Sequence, residues 1–261
     1  MLTRRGLHPA TETTVGAARV RLLDIVRGLC VALMLLDHFA LFFYKFYYLH
    51  GNDFISLYPT LASYIGSGAR QAIRGIVISV FFIVSGICCS YSRNNLRRGL
   101  LLTLFAGFIT LITFIITATA YNCLIICGVI HCYAIFTLIY AIIERLPLKS
   151  NRRTLLCAIL LAIFVVWAIV MGAVKPTLDG SNALIFLGVP ATGYIPPLEY
   201  ASPAFVGWAY FAGVIIGFRF KKISFGSSTA FPVLSYIGRH AAVIYLIHMP
   251  LIYAFIRLLA L

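Results

Sequence analysis

The stretch "RLLDIVRGLCVALMLLDHF" places Asp24, Arg27, Asp37 and His38 inside or beside an apolar run. Ionisable groups in such a setting are costly, and they mark either interhelical glue or chemistry. His131 and His248 lie inside two further apolar runs. Imidazole can serve near neutral pH as a general base or a nucleophile, and His/Asp chains also relay protons in transporters. Asp24 and Arg27, three residues apart, share a helix face, and arginine suits a phosphate group. Arg27 and His38 stand eleven residues apart, about three turns, so they project to nearly the same side. That spacing fits a ligand with its charged head at one membrane face and its reactive end inside. Asp37 and His38 diverge by about 100° on a helix, which directs Asp37 at another helix rather than at His38. No two histidines stand at i, i+4 as a ligand pair, and we expect no metal.

The elements that must hold these residues follow from composition. Of 261 residues, 62% are hydrophobic and 11% charged, whereas a soluble domain is about 45–50% apolar. The expected fold is all-α, a polytopic membrane helix bundle. A spanning helix needs about 20 apolar residues, and the runs at 22–44, 71–91, 99–120, 122–143, 154–174, 204–219 and 235–260 supply about seven. Basic residues gather in alternate connections: Arg4, Arg5, Arg19 and Arg21, then Arg93, Arg97 and Arg98, then Arg145, Lys149, Arg152 and Arg153, then Arg219, Lys221 and Lys222. By the positive-inside rule the N-terminus is cytoplasmic and the C-terminus external. The excess of 21 Lys and Arg over 7 Asp and Glu is therefore mostly topology. The expected partner is the lipid bilayer, not nucleic acid. On this topology His38, His131 and His248 fall at similar depths on three helices, where they could converge.

Residues 1–21 read as a cytoplasmic tail without the apolar core of a signal peptide, and 22–261 as one transmembrane domain. Two long external connections stand out. Residues 45–70 are aromatic and rich in Gly and Ser; residues 175–203 are rich in Pro and Gly. Long loops that are ordered often act as lids or binding surfaces. All seven cysteines fall in expected spans with no CxxC pair, which makes them packing residues.

Four blocks, "RLLDIVRGLCVALMLLDHF", "FFIVSGICCSYSRNNLRRG", "CGVIHCYAI" and "IGRHAAVIYLIHMPLIY", resemble successive motifs of the heparan-α-glucosaminide N-acetyltransferase catalytic-domain-like family. In chain order they cover about residues 21–253. The resemblance implies a multi-pass enzyme of the cell membrane (inner or plasma). It would take acetyl from cytoplasmic acetyl-CoA and pass it to an amine or hydroxyl of an extracytoplasmic sugar or glycan. Asp24, Arg27 and Gly28 match the first motif. His38 falls where the family carries a polar residue taken to be catalytic, and His50 about where its lysosomal members carry a catalytic histidine. Ser85 and Gly86 match the second motif, with Arg93 and Arg98 at its basic end. Gly128 and His131 match the third, and Gly238, Arg239, Tyr245 and His248 the last.

The resulting catalytic candidates are His38, His50, His131, His248 and Asp37. The candidates for binding acetyl-CoA are Asp24, Arg27, Gly28, Ser85, Arg93, Arg98, Arg239 and Tyr245. His38 is favoured as general base, with His131 or His248 orienting substrate or polarising the thioester carbonyl; a route through an acyl-histidine stays open. The chain departs from the family pattern at Ala241, where Ser is usual, and at Gly193, where Asp is usual, so acceptor identity does not carry over. Acceptor specificity is expected in the connections 45–70 and 175–203. The alternative is a small proton-coupled transporter or flippase using the same His and Asp residues, against which the absence of an internal repeat counts. A structural subunit, with the charges as glue, is a third reading. The oligomeric state is open, a homodimer included.

Overall fold

The computed structural model describes residues 13–50, 58–92, 94–119, 124–174, 201–220 and 231–259. Among them the chain is helical without strands. The elements are α1 (Thr13–His50), α2 (Tyr58–Gly66), α3 (Gly68–Cys89), α4 (Asn95–Thr119), α5 (Val129–Arg145), α6 (Ser150–Val174), α7 (Pro203–Phe220), α8 (Pro232–Arg239) and α9 (Ala241–Leu259). Four carry stretches long and apolar enough to cross a membrane: Arg21–Tyr44, Gly68–Cys89, Asn95–Ile115 and Ser150–Ala173. Pro203–Arg219 and Ala241–Ile252 are shorter apolar helices. This is a membrane protein. Its outer faces show why: Leu104 and Phe114 on α4 and Leu155 and Ile169 on α6 are exposed, as on helices apolar all round that meet lipid rather than water.

Two departures from the expected spans bear on the site. The run expected at 235–260 is two helices, broken at His240, whose φ of −100° and ψ of 15° leave the helical region. The connection 45–70 carries α2, nine residues long. Ser67 links it to α3: its hydroxyl donates to the Tyr64 carbonyl at 2.8 Å and accepts from the Arg70 N–H at 3.2 Å. A serine N-cap of this kind satisfies one of the orphan donors of a helix start, and here it sets Arg70 on the first turn of α3. Residues 175–200, most of the second long connection, lie outside the described residues.

Small residues set how closely the helices pack. A Cβ at Gly28 would land on the Leu234 carbonyl, and one at Gly238 on the Asp24 carbonyl, so α1 and α8 touch backbone to backbone. Gly86 and Gly213 do the same for α3 and α7, against the Tyr210 and Ile83 carbonyls. Without a hydrophobic drive between helices in lipid, such close approach is a main source of association. Beside the α3·α7 seam lies an aromatic core. Phe82, Phe136, Tyr210 and Phe211 are wholly buried there, with Phe136 edge-on to Phe82 and Phe164. The ionisable residues singled out at Asp24, Arg27, Asp37 and His38 are all on α1, away from this core and against α3, α8 and α9.

Candidate active site

His38 on α1 and His248 on α9 meet inside the bundle. His38 Nδ1 lies 2.8 Å from His248 Nε2; the near-parallel rings are 5.0 Å apart, and the residues are only 4% and 3% exposed. The proton positions follow from the next contact. His248 Nδ1 lies 2.6 Å from the Tyr245 carbonyl, which can only accept. The proton of neutral His248 is therefore on Nδ1, and its Nε2 is a lone pair. His38 must then donate from Nδ1, which makes Nε2 the basic atom of His38. A carbonyl on α9 thus sets the tautomer of a histidine on α1 through one intervening imidazole.

His131 is engaged elsewhere. Its Nδ1 accepts from the Gly128 N–H at 3.2 Å, which caps the start of α5, and its Nε2 lies 2.8 Å from the Thr110 hydroxyl on α4. The same hydroxyl donates to the Ile125 carbonyl at 2.9 Å. Of the three histidines at similar depth, these contacts pair two and give the third a cap and an α4–α5 tie. His50 ends α1; its side chain lies outside the described residues. So does Arg93.

Asp37 points at α3, as its azimuth requires. Arg70 grips both carboxylate oxygens, Nε to Oδ1 at 2.6 Å and Nη2 to Oδ2 at 2.8 Å, and the Tyr64 hydroxyl adds a third bond at 3.0 Å. Burial first, and then the bond to Asp37, push the Tyr64 phenol up, so it donates throughout the neutral range. Reading the sequence missed Arg70 and Tyr64. Arg70 falls in the stretch 45–70 expected as an external connection, although an acid near one end of a span and a cation at the matching end of the next are a signal to pair them.

Three turns along α1 from His38 lies a second cluster. Arg27 Nη1 donates to Asp24 Oδ1 at 3.1 Å and to the Gly238 carbonyl at 3.3 Å, and Nη2 to Cys88 Sγ at 2.7 Å. Its guanidinium thus bridges α1, α3 and α8. Arg239 is close enough for its charge to act on Asp24. Gly28 serves the α1–α8 contact described above. Yet the cluster is not saturated. Arg27 Nε and the hydroxyls of Ser85 and Ser235 are buried without a hydrogen-bond partner. Ser85 is one turn from Cys88 on α3, and Ser235 one turn from Gly238 on α8. Buried polar groups are nearly always satisfied; here one open group belongs to the arginine itself and two to serines one turn from its partners.

Arg98 turns into the bundle: its Nη2 donates to the Tyr133 hydroxyl, its Nη1 lies 3.7 Å from Cys89 Sγ, and its guanidinium covers the Tyr133 ring at 5.3 Å. Tyr245 is buried beside His248, with ring centroids 5.2 Å apart. Among the described residues no three His, Cys, Asp or Glu side chains form a group that could hold a metal ion.

A family model described as heparan-alpha-glucosaminide N-acetyltransferase, catalytic, matches residues 19–250, nearly the whole chain. No curated protein and no solved structure matches.

Proposed function

Because the chain belongs to the heparan-alpha-glucosaminide N-acetyltransferase catalytic family, we propose that it is a membrane acetyltransferase using His38 as its base. Its donor is acetyl-CoA taken from the cytoplasm, and its acceptor an amine or hydroxyl of a sugar or glycan on the far side of the cell membrane. The observation that carries this reading is the buried His38–His248 pair with its fixed tautomer.

The residues present fit the donor. Phosphates and amide carbonyls need hydrogen-bond donors, and Arg27 Nε, Ser85 Oγ and Ser235 Oγ are buried donors without partners. Arginine binds phosphate well, and these three residues would hold acetyl-CoA, with Arg239 adding positive charge nearby. When bound, acetyl-CoA supplies an activated thioester carbonyl. His38 stands eleven residues along α1 from Arg27, about 16 Å at 1.5 Å per residue. Its Nε2 takes the proton of the acceptor amine or hydroxyl as that group attacks the thioester carbonyl, and gives it to the CoA thiolate that leaves as the C–S bond breaks. His248 steadies the imidazolium that results, because its Nε2 accepts the His38 Nδ1–H throughout. An acyl-histidine route would use the same His38 Nε2, so the base and carrier roles share one atom.

The test is thermal stabilisation of the purified protein in detergent. A ligand that binds only the folded state stabilises it by mass action, by about 2.7 kcal/mol at a hundred times its Kd. Acetyl-CoA and free CoA should raise the apparent melting temperature, and ATP should not. His38→Ala should keep that shift and lose transfer of labelled acetyl to amino sugars. No shift at millimolar acetyl-CoA, in a protein shown to be folded, would overturn the proposal.

A further inference from the structure

The Asp37–Arg70 pair lies one residue from the base, and its geometry has a consequence for the tautomer. Asp37 immediately precedes His38 on α1, on an azimuth about 100° away. A carboxylate is a stronger acceptor for an imidazole N–H than a neutral ring nitrogen, since bonds to a charged partner are about twice as strong. Left open, Asp37 would compete with His248 for the N–H of His38. It is not left open. Arg70 occupies both carboxylate oxygens, Tyr64 adds a bond to Oδ1, and the Arg70 guanidinium also reaches the Ile65 carbonyl at 3.4 Å and stacks on the Tyr64 ring at 5.8 Å. The fork comes from α3 and the phenol from α2, so the two helices outside α1 close on the acid together.

We propose that Arg70, assisted by Tyr64, is a positioning residue for acetyl transfer: by saturating Asp37 it commits the His38 Nδ1–H to His248 and keeps His38 Nε2 as the basic atom. The proposal rests on the reading of His38 as the base. It extends that reading to two residues that touch neither substrate nor the reacting atoms. It also accounts for an acid that sits beside the base without serving as its partner. Asp37 and His38 diverge by about 100° on α1; contacts to α3 on one azimuth and to α9 on the other fix the rotation of α1 at this level. Loss of the α3 contact frees both the rotation and the carboxylate.

The experiment is nitrogen NMR on protein labelled with ¹⁵N-histidine in detergent, with no substrate required. The wild type should show His38 protonated on Nδ1 and a coupling across the hydrogen bond to His248 Nε2. Arg70→Ala should lose that coupling. Arg70→Lys, which keeps the charge, should retain it. The double variant Arg70→Ala/Asp37→Asn should regain it, because the competing carboxylate is gone; a merely structural salt bridge would give no such rescue. A coupling that persists in Arg70→Ala overturns the proposal, as does its absence from the wild type or from the double variant. If all four behave as expected but His38→Ala retains acetyl transfer, the positioning stands and the reading of His38 as base fails instead.

Discussion

Two levels of α1, at Asp24 and at Asp37, hold ion pairs of the same composition and opposite character. At the Asp37 level, Arg70 meets both carboxylate oxygens and Tyr64 adds a third bond. At the Asp24 level, Arg27 gives one bond to its acid, spends two on a backbone carbonyl and a thiol, and keeps Nε unpartnered beside two unpartnered serines. Both pairs are largely withdrawn from solvent, with side-chain exposures of 8% and 14% for Arg70 and Asp37, and 12% and 7% for Arg27 and Asp24. Burial therefore does not distinguish them; saturation does. A saturated pair is scaffold, holding a neighbour in place. An unsaturated one carries unmet hydrogen-bonding demand that a ligand can meet.

The largest effect expected from this contrast is on stability. Asp37→Ala leaves Arg70 buried with no carboxylate, and breaking a buried pair from one side costs about 3–5 kcal/mol. Asp24→Ala removes one of three Arg27 contacts and should cost about 1.5–3 kcal/mol, the range for a hydrogen bond to a charged group. Thermal melts of the two variants should rank in that order. The reverse ranking would mean that the Asp24 level is the scaffold.

Next in size is the glycine contact that fixes α8 against the Asp24 level. Gly28→Ala drives a Cβ into the Leu234 carbonyl. Backbone cannot swing aside as a flexible side chain can, and overpacking costs about 1–3 kcal/mol. The acetyl-CoA shift should fall along with the melting temperature, because α8 carries Ser235 and Gly238. An unchanged shift in a destabilised Gly28→Ala protein would detach α8 from ligand binding.

How far the sequence foretold this arrangement depended on which forces set each feature. The long apolar runs became helices because length and hydropathy are local properties; α3, α4 and α6 lie close to the runs that foretold them. The break at His240 was hidden, since Gly238, Arg239 and His240 do not stop a helix by themselves; the break separates α8, seated on α1, from α9. Counting residues from the span ends placed His38 and His248 at one depth, and they meet. The same count placed His131 with them, but depth says nothing of azimuth, and the Gly128 N–H and the Thr110 hydroxyl hold that ring. Arg70 was missed for a related reason: charges at matching span ends hint at a pair, but the pairing itself depends on the mutual rotation of two helices, which no single-helix pattern carries.

His131 offers a smaller test of the same distinction between holding and binding. Thr110→Val removes the hydroxyl that meets both His131 and the Ile125 carbonyl, at a cost of about 1–3 kcal/mol because the carbonyl of buried Ile125 loses that bond. If His131 serves as a tie between α4 and α5, the acetyl-CoA shift should survive unchanged. A lost shift with little change in melting temperature would instead bring His131 into the donor site.

The smallest effect is the most discriminating. Ser85 and Ser235 are buried hydroxyls with no partner, so each carries a desolvation cost that the ligand-free fold does not recover. Ser85→Ala and Ser235→Ala should therefore leave the ligand-free protein unchanged or slightly more stable, by up to about 1 kcal/mol. The same variants should bind acetyl-CoA more weakly, by roughly three- to tenfold for one lost hydrogen bond of about 1 kcal/mol. Stability and affinity move in opposite directions only where a polar group is kept for a ligand. If Ser85→Ala instead lowers the ligand-free melting temperature, that hydroxyl is part of the scaffold, and the two levels of α1 differ less than their hydrogen bonds indicate.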